Sequence, residues 1–215
     1  MLPGTVAFLD LAGHDHAWLR QHAESVFAAD EACVLLLSLD GCRVTTADDP
    51  SWLIAYPLPV VAVAEQDLTA GAFNLAIACD VRVVSESARL GPIDEAATDY
   101  GWDRLSTLLG QSAAVAVMND GSWPAPAAFE AGLVSSCQPP GTALAEARRI
   151  ADVIASRGPI AVRLAKEAIW RGLPLHLEHG LRFETDLTLL LQTTKDRAEG
   201  VAAFVQKRTP IFLGE

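Results

Sequence analysis

The chain has 215 residues, 51% of them hydrophobic, and a formal net charge of −11. This length suits one domain, or one domain with a helical extension, and the hydrophobic share is enough to fill a core. So acidic a surface repels phosphate backbones and argues against general nucleic-acid binding; an anionic ligand would need local Lys or Arg.

The longest apolar runs, such as residues 32–39, are far too short for a membrane span. Residues 1–10 lack the basic start and long apolar centre of a signal peptide, so the expected location is cytoplasmic. Cys33, Cys42, Cys79 and Cys137 are scattered with no C-x-x-C pair. Buried free thiols are expected rather than a zinc site.

Residues 5–11 form a short apolar run and predict a strand. Asp15 can cap a helix over residues 17–28. Residues 32–39 and 58–64 are nearly continuous apolar runs, the pattern of strands buried on both faces. The polar stretch 41–50 between them predicts a loop. Residues 71–78 are apolar and Ala-rich, fitting a short buried helix, and residues 80–85 predict the next strand. This alternation of strands and helices predicts right-handed crossovers and a mainly parallel sheet.

Beyond Leu90 the periodicity becomes helical, over residues 106–117, 125–132, 143–157, 160–171 and 177–193. Gly132 predicts a helix stop, with a short strand over 133–137 behind it. Pro159, after Gly158, suits a helix start. The division expected is an α/β core over residues 1–135 and a helical region over 136–215.

The segment PVVAVAEQDLTAGAFNLAIACDVRVVS, residues 59–85, resembles the signature of the crotonase (enoyl-CoA hydratase/isomerase) superfamily. There, a strand opening on Pro leads to a Gly-rich turn, a buried helix ending in Ala-Cys-Asp, and a strand beginning Val/Ile-Arg. ARLGP at 88–92, AGLV at 131–134, LAKEAIWRG at 164–172 and EGVAAFVQKRTPIF at 199–212 resemble later family segments in the same order. Several motifs in one order are far more specific than any one alone. The resemblance implies an α/β, crotonase-like (ClpP/crotonase) spiral of ββα units with a C-terminal helical trimerisation region. It also implies an acyl thioester substrate, carried on coenzyme A or an acyl carrier protein, with no further cofactor and no metal.

Gly71 stands where a loop becomes a helix. Alone it would read as a tight turn. In family order it matches one half of an oxyanion hole, because amides at a helix start face outward and the dipole there favours negative charge. The family's other donor comes from a Phe-x-Ala-Gly-x-Asp loop in a longer N-terminal half. The one candidate here is RVTTADD, residues 43–49, which lacks the glycine and makes Thr46 the possible second donor; an ordinary polar loop is the competing reading.

The resemblance implies that hydratases of the family hold one water between two Glu side chains. The first of those positions falls on Asn74, whose amide can orient a water or a carbonyl but cannot take a proton at neutral pH. The second falls near Asp94, with Glu95 beside it; a capped turn after Pro92 is the competing reading. One acid suffices to move a proton from Cα to Cγ, and decarboxylation needs the oxyanion hole most of all. Double-bond isomerisation or decarboxylation is therefore expected over hydration.

His14-Asp15-His16 has metal-ligand residue types, yet neighbouring positions at a helix start point apart, and Asp15 reads better as a cap. His176 and His179 read as solvated surface, and Trp18, Trp52, Trp102, Trp123 and Trp170 as packing or interface anchors. Lys207 and Arg208 match the family segment that reaches a neighbouring subunit's ligand phosphates; completing a helix dipole is the competing reading. The partners expected are an acyl thioester, copies of this chain in a homotrimer or hexamer, and an acyl carrier protein or partner enzyme. The competing class of function is a non-catalytic scaffold supporting a partner enzyme.

Overall fold

A computed structural model of the chain describes residues 4–30, 32–68, 70–91, 100–120 and 122–215. It is an α/β fold built on a five-stranded, wholly parallel sheet. In chain order come β1 (Val6–Asp10), α1 (His16–Ala28), β2 (Val34–Ser38), β3 (Val60–Ala64), α2 (Ala70–Ala78) and β4 (Val81–Ser85). Then follow β5 (Arg89–Leu90), α3 (Tyr100–Leu109), α4 (Gln111–Asp120), β6 (Trp123–Pro124), α5 (Ala125–Glu130) and β7 (Ser136–Gln138). The chain closes with α6 (Ala143–Ala155), α7 (Pro159–Gly172), α8 (Leu177–Gln192) and α9 (Lys195–Gln206). The sheet order is β1-β2-β3-β4-β7, and β5 and β6 form a separate antiparallel pair.

The sheet is covered on both faces, which is why its central strands read as unbroken apolar runs. All five residues of β3 are buried. One face packs against α1 and α2 through Leu19, Ala23, Phe73, Ala76 and Ile77. The other packs against α6, whose Ala143, Ala147, Ala151 and Ala155 make a stripe on Val34, Leu36, Val61, Val63 and Val83. Spacing of four puts those alanines on one helical face, and methyl side chains let the helix lie close to the sheet. The sheet layer thus continues through β7 and α6, beyond residue 135.

Carboxylates tie the carboxyl ends of β2 and β3 together. Asp40 accepts from the Glu65 and Gln66 amides, each at 3.0 Å. The Glu65 carboxylate caps α6 by accepting from Gly141 and Ala143 at 2.8 and 2.7 Å. Open parallel sheets place their ligand crevices at this end, where loops meet helix N-termini.

Two sequence expectations are corrected. Residues 106–117 are not one helix: Gly110, at φ +79°, breaks them into α3 and α4. Left-handed backbone is open to glycine at little cost, and it stops a helix. The strand expected at 133–137 is Ser136–Gln138; Leu133 and Val134 are buried instead in the turn before it. The loop after residue 41 ends in a short 3-10 helix, Pro50–Leu53, capped by Asp49.

Candidate active site

The loop after β2 and the first turn of α2 meet at Gly71. A Cβ built on Gly71 would lie 2.7 Å from the Val44 carbonyl carbon and 2.8 Å from that of Thr45, with the Val44 carbonyl oxygen closer still. These are backbone atoms, so no side-chain rotation can make room. Gly71 does not have positive φ. Glycine is required here for close approach, not for unusual backbone angles.

The approach also brings Thr46 near Gly71. The Thr46 nitrogen is bonded to the Thr45 carbonyl carbon, so it lies within about 4 Å of the Gly71 Cβ position. The Thr45 amide donates to Asp48 Oδ2 at 2.8 Å, the Thr45 hydroxyl to the same oxygen at 2.9 Å, and the Asp48 amide returns to Thr45 O at 3.2 Å. That turn consumes the Thr45 amide; no bond from the Thr46 amide is found among the described residues. At the start of α2 the amides have no carbonyl four residues back within the helix.

Asn74 lies one helical turn beyond Gly71 and is the one polar residue of α2. It is 1% exposed, and among the described residues neither its Oδ1 nor its Nδ2 has a hydrogen-bond partner. Almost every buried polar side chain in a folded protein is paired, which makes this amide a candidate partner for a water or a ligand. Neighbours three apart on a helix share a face, which sets Asn74 on the same side of α2 as Gly71.

Asp94 and Glu95 lie outside the described residues. Gly91 donates to Leu68 O at 2.8 Å and Leu68 to Arg89 O at 2.9 Å. Gly91, the last described residue before them, thus lies beside Leu68, two residues ahead of α2. Lys207 and Arg208 sit at the end of α9, which packs on α8, whereas α2 packs on α3 and the 3-10 helix. Arg208 grips Glu199 of its own chain through two bonds at 2.6 and 2.7 Å. That grip, with an Ile211 amide bond, holds the Glu199 carboxyl down at about 2. Lys207 is exposed, with left-handed backbone at φ 56°.

Two linkages were not legible from the sequence. Asp80, at the end of α2, accepts from Lys166 Nζ at 2.6 Å, the Trp170 indole at 2.7 Å and the Val60 amide at 2.7 Å. Burial holds the Lys166 amine below the ordinary lysine range, against the opposing pull of Asp80. His16, for its part, contacts both Trp52 and Asp48. The only advance signal for the first pair was that both residues stood inside family-like motifs. Asp15 caps α1 as expected, accepting from Trp18 at 2.9 Å. Burial pushes the Cys79 thiol up to about 12, as suits a core cysteine.

The family described as enoyl-CoA hydratase/isomerase matches residues 41–215. The chain belongs to the crotonase superfamily. Among this crotonase's curated relatives is the 2,3-dehydroadipyl-CoA hydratase of Escherichia coli, 36% identical over 75% of this chain and 66% of that protein. Another, a probable mitochondrial enoyl-CoA hydratase 2 of Arabidopsis thaliana, is 34% identical over 76% of this chain and 56% of its own length. The match thus spans less than two thirds of these relatives. A solved enoyl-CoA hydratase from Bacillus anthracis has a TM-score of 0.81, with 30% identity over 98% of this chain and 96% of that one.

Proposed function

We propose that this crotonase stabilises the enolate of an acyl thioester at the Gly71 and Thr46 amides, and uses it for double-bond isomerisation or decarboxylation rather than hydration. The observation that carries the reading is Asn74, buried one turn from Gly71 and without a hydrogen-bond partner among the described residues. Its amide can hold a substrate carbonyl or a water. It cannot shuttle a proton, so a mechanism needing two acid–base groups at once has lost one of them. Asp94 is the single acid of this reading.

Relatives named as hydratases of CoA thioesters support a thioester substrate; coenzyme A and an acyl carrier protein are the two carriers considered. For assembly we propose a homotrimer or a hexamer. Leu177, Phe204, Val205 and Ile211, between 70% and 83% exposed, form apolar surface on α8, α9 and the tail that suits burial against further copies. Lys207 would then face a neighbouring subunit's ligand.

The test is a panel of purified reactions: hydration of crotonyl-CoA, isomerisation of a 3-enoyl-CoA and decarboxylation of a malonyl-type CoA. Light scattering at micromolar concentration gives the mass. Isomerisation or decarboxylation well above hydration is expected, from a trimer or its multiple. Robust hydration overturns the choice of reaction. A panel with no turnover and no thermal shift overturns the enzyme reading and leaves the scaffold, which the loss of a Glu at residue 74 also favours.

A further inference from the structure

The His14-Asp15-His16 run divides into three tasks. His14 stacks on Trp18 at 3.8 Å between ring centres, and Asp15 caps the helix. His16 faces the loop that approaches Gly71. The Trp52 indole donates to His16 Nε2 at 2.8 Å. An indole N–H can only donate, so Nε2 carries no proton and the ring's proton sits on Nδ1. Nδ1 is 3.9 Å from Asp48 Oδ1, a spacing for electrostatic attraction or a bridging water rather than a direct hydrogen bond. The other Asp48 oxygen holds the Thr45 amide and hydroxyl.

A chain of contacts therefore runs Trp52–His16–Asp48–Thr45–Gly71. Gly71 is fixed by a buried helix. The opposing residues 43–48 belong to no helix or strand. From the α1 side they are held by this chain and by the Arg43 amide donating to His14 O at 2.7 Å. We infer that His16 is a positioning residue for the reaction: it sets the Asp48 turn and so the direction of the Thr46 amide. This rests on the proposed enolate reading. Placing an oxyanion donor demands more accuracy than binding a thioester, because the donor must meet charge that develops only in the transition state. The loss of His16 therefore falls on turnover and leaves substrate affinity in place.

The experiment compares wild type with His16→Leu and His16→Gln, the latter keeping an acceptor for Trp52 and a donor toward Asp48. Exchange of the α-protons of butyryl-CoA with deuterated water reads enolate formation. His16→Leu is expected to lower kcat by about ten- to a hundred-fold at nearly constant KM, the scale of an ångström-sized misplacement. His16→Gln recovers most of it. Unchanged kcat in His16→Leu, or kcat and affinity falling together, overturns the inference. Amide hydrogen exchange of residues 43–48 is measured alongside. It should quicken in His16→Leu and not in His16→Gln; equal rates in all three proteins overturn the inference even where wild type turns over no thioester. A wild type inactive on every thioester overturns the enolate reading, and the hydrogen exchange still decides whether His16 holds the loop.

Discussion

Lys166 Nζ lies 2.6 Å from the carboxylate of Asp80, 86 residues earlier in the chain, and both side chains are largely buried. The pair joins α7 to the end of α2 and the start of β3, and Lys166 also donates to Leu58 O at 2.9 Å. Arg104 extends the cluster, stacking 3.6 Å over Trp170 and donating to Ile77 O at 2.9 Å. Breaking such a pair from one side leaves a charge with little water around it.

Lys166→Met should therefore cost about 3–5 kcal/mol of folding stability. Adding Asp80→Asn should recover part of that loss, because the stranded carboxylate is gone. Urea unfolding of wild type, both single variants and the double variant measures the coupling. Strictly additive single effects would show that the two residues act independently.

Gly71→Ala should displace residues 43–48 or unwind the first turn of α2, since the new methyl meets main-chain atoms of Val44 and Thr45. The stability loss expected is about 1–3 kcal/mol, as for other overpacked sites. Turnover should fall by about a hundred- to a thousand-fold, the effect of one lost oxyanion donor. A crystal structure of the variant with the loop unmoved, together with full activity, would contradict the close-approach account.

Asn74→Leu should separate stability from function. It removes two buried, unpaired polar atoms at similar volume, so stability should hold or rise by about 1 kcal/mol. Thioester chemistry should be lost, because the vacant amide is the substrate's or water's partner. Thermal denaturation and the reaction panel measure the two halves. A destabilised variant would mean that Asn74 is already satisfied in the resting protein, and an active one that its amide takes no part.

Acid should loosen the C-terminal tail before the core. Glu199 titrates near 2 in the folded chain instead of 4.5, held by Arg208 and the Ile211 amide. A depressed carboxyl stabilises the fold above its unfolded value and loses that contribution as pH falls through the folded one. The window therefore runs from about 4.5 down to about 2. Protection of the Ile211 amide should decline across it, and Glu199→Gln should remove that dependence. Identical profiles in the two proteins would refute the link.

The sequence by itself determined the family, the parallel sheet and the helix that carries the candidate site. Each is written in local pattern: apolar runs on β2 and β3, the cap at Asp15, and the ordered motifs around Gly71 and Cys79-Asp80. Asn74 was legible as a departure because the motif fixes its position. Tertiary structure alone decided that Asn74 is buried with no partner among the described residues, that Gly71 is needed for closeness and not for positive φ, and that His16 leans on Asp48 while Lys166 reaches Asp80. Those facts depend on which surfaces meet after the chain folds back over tens of residues. A pattern along one chain specifies which face of an element is apolar, but not which distant polar atom its neighbour will supply.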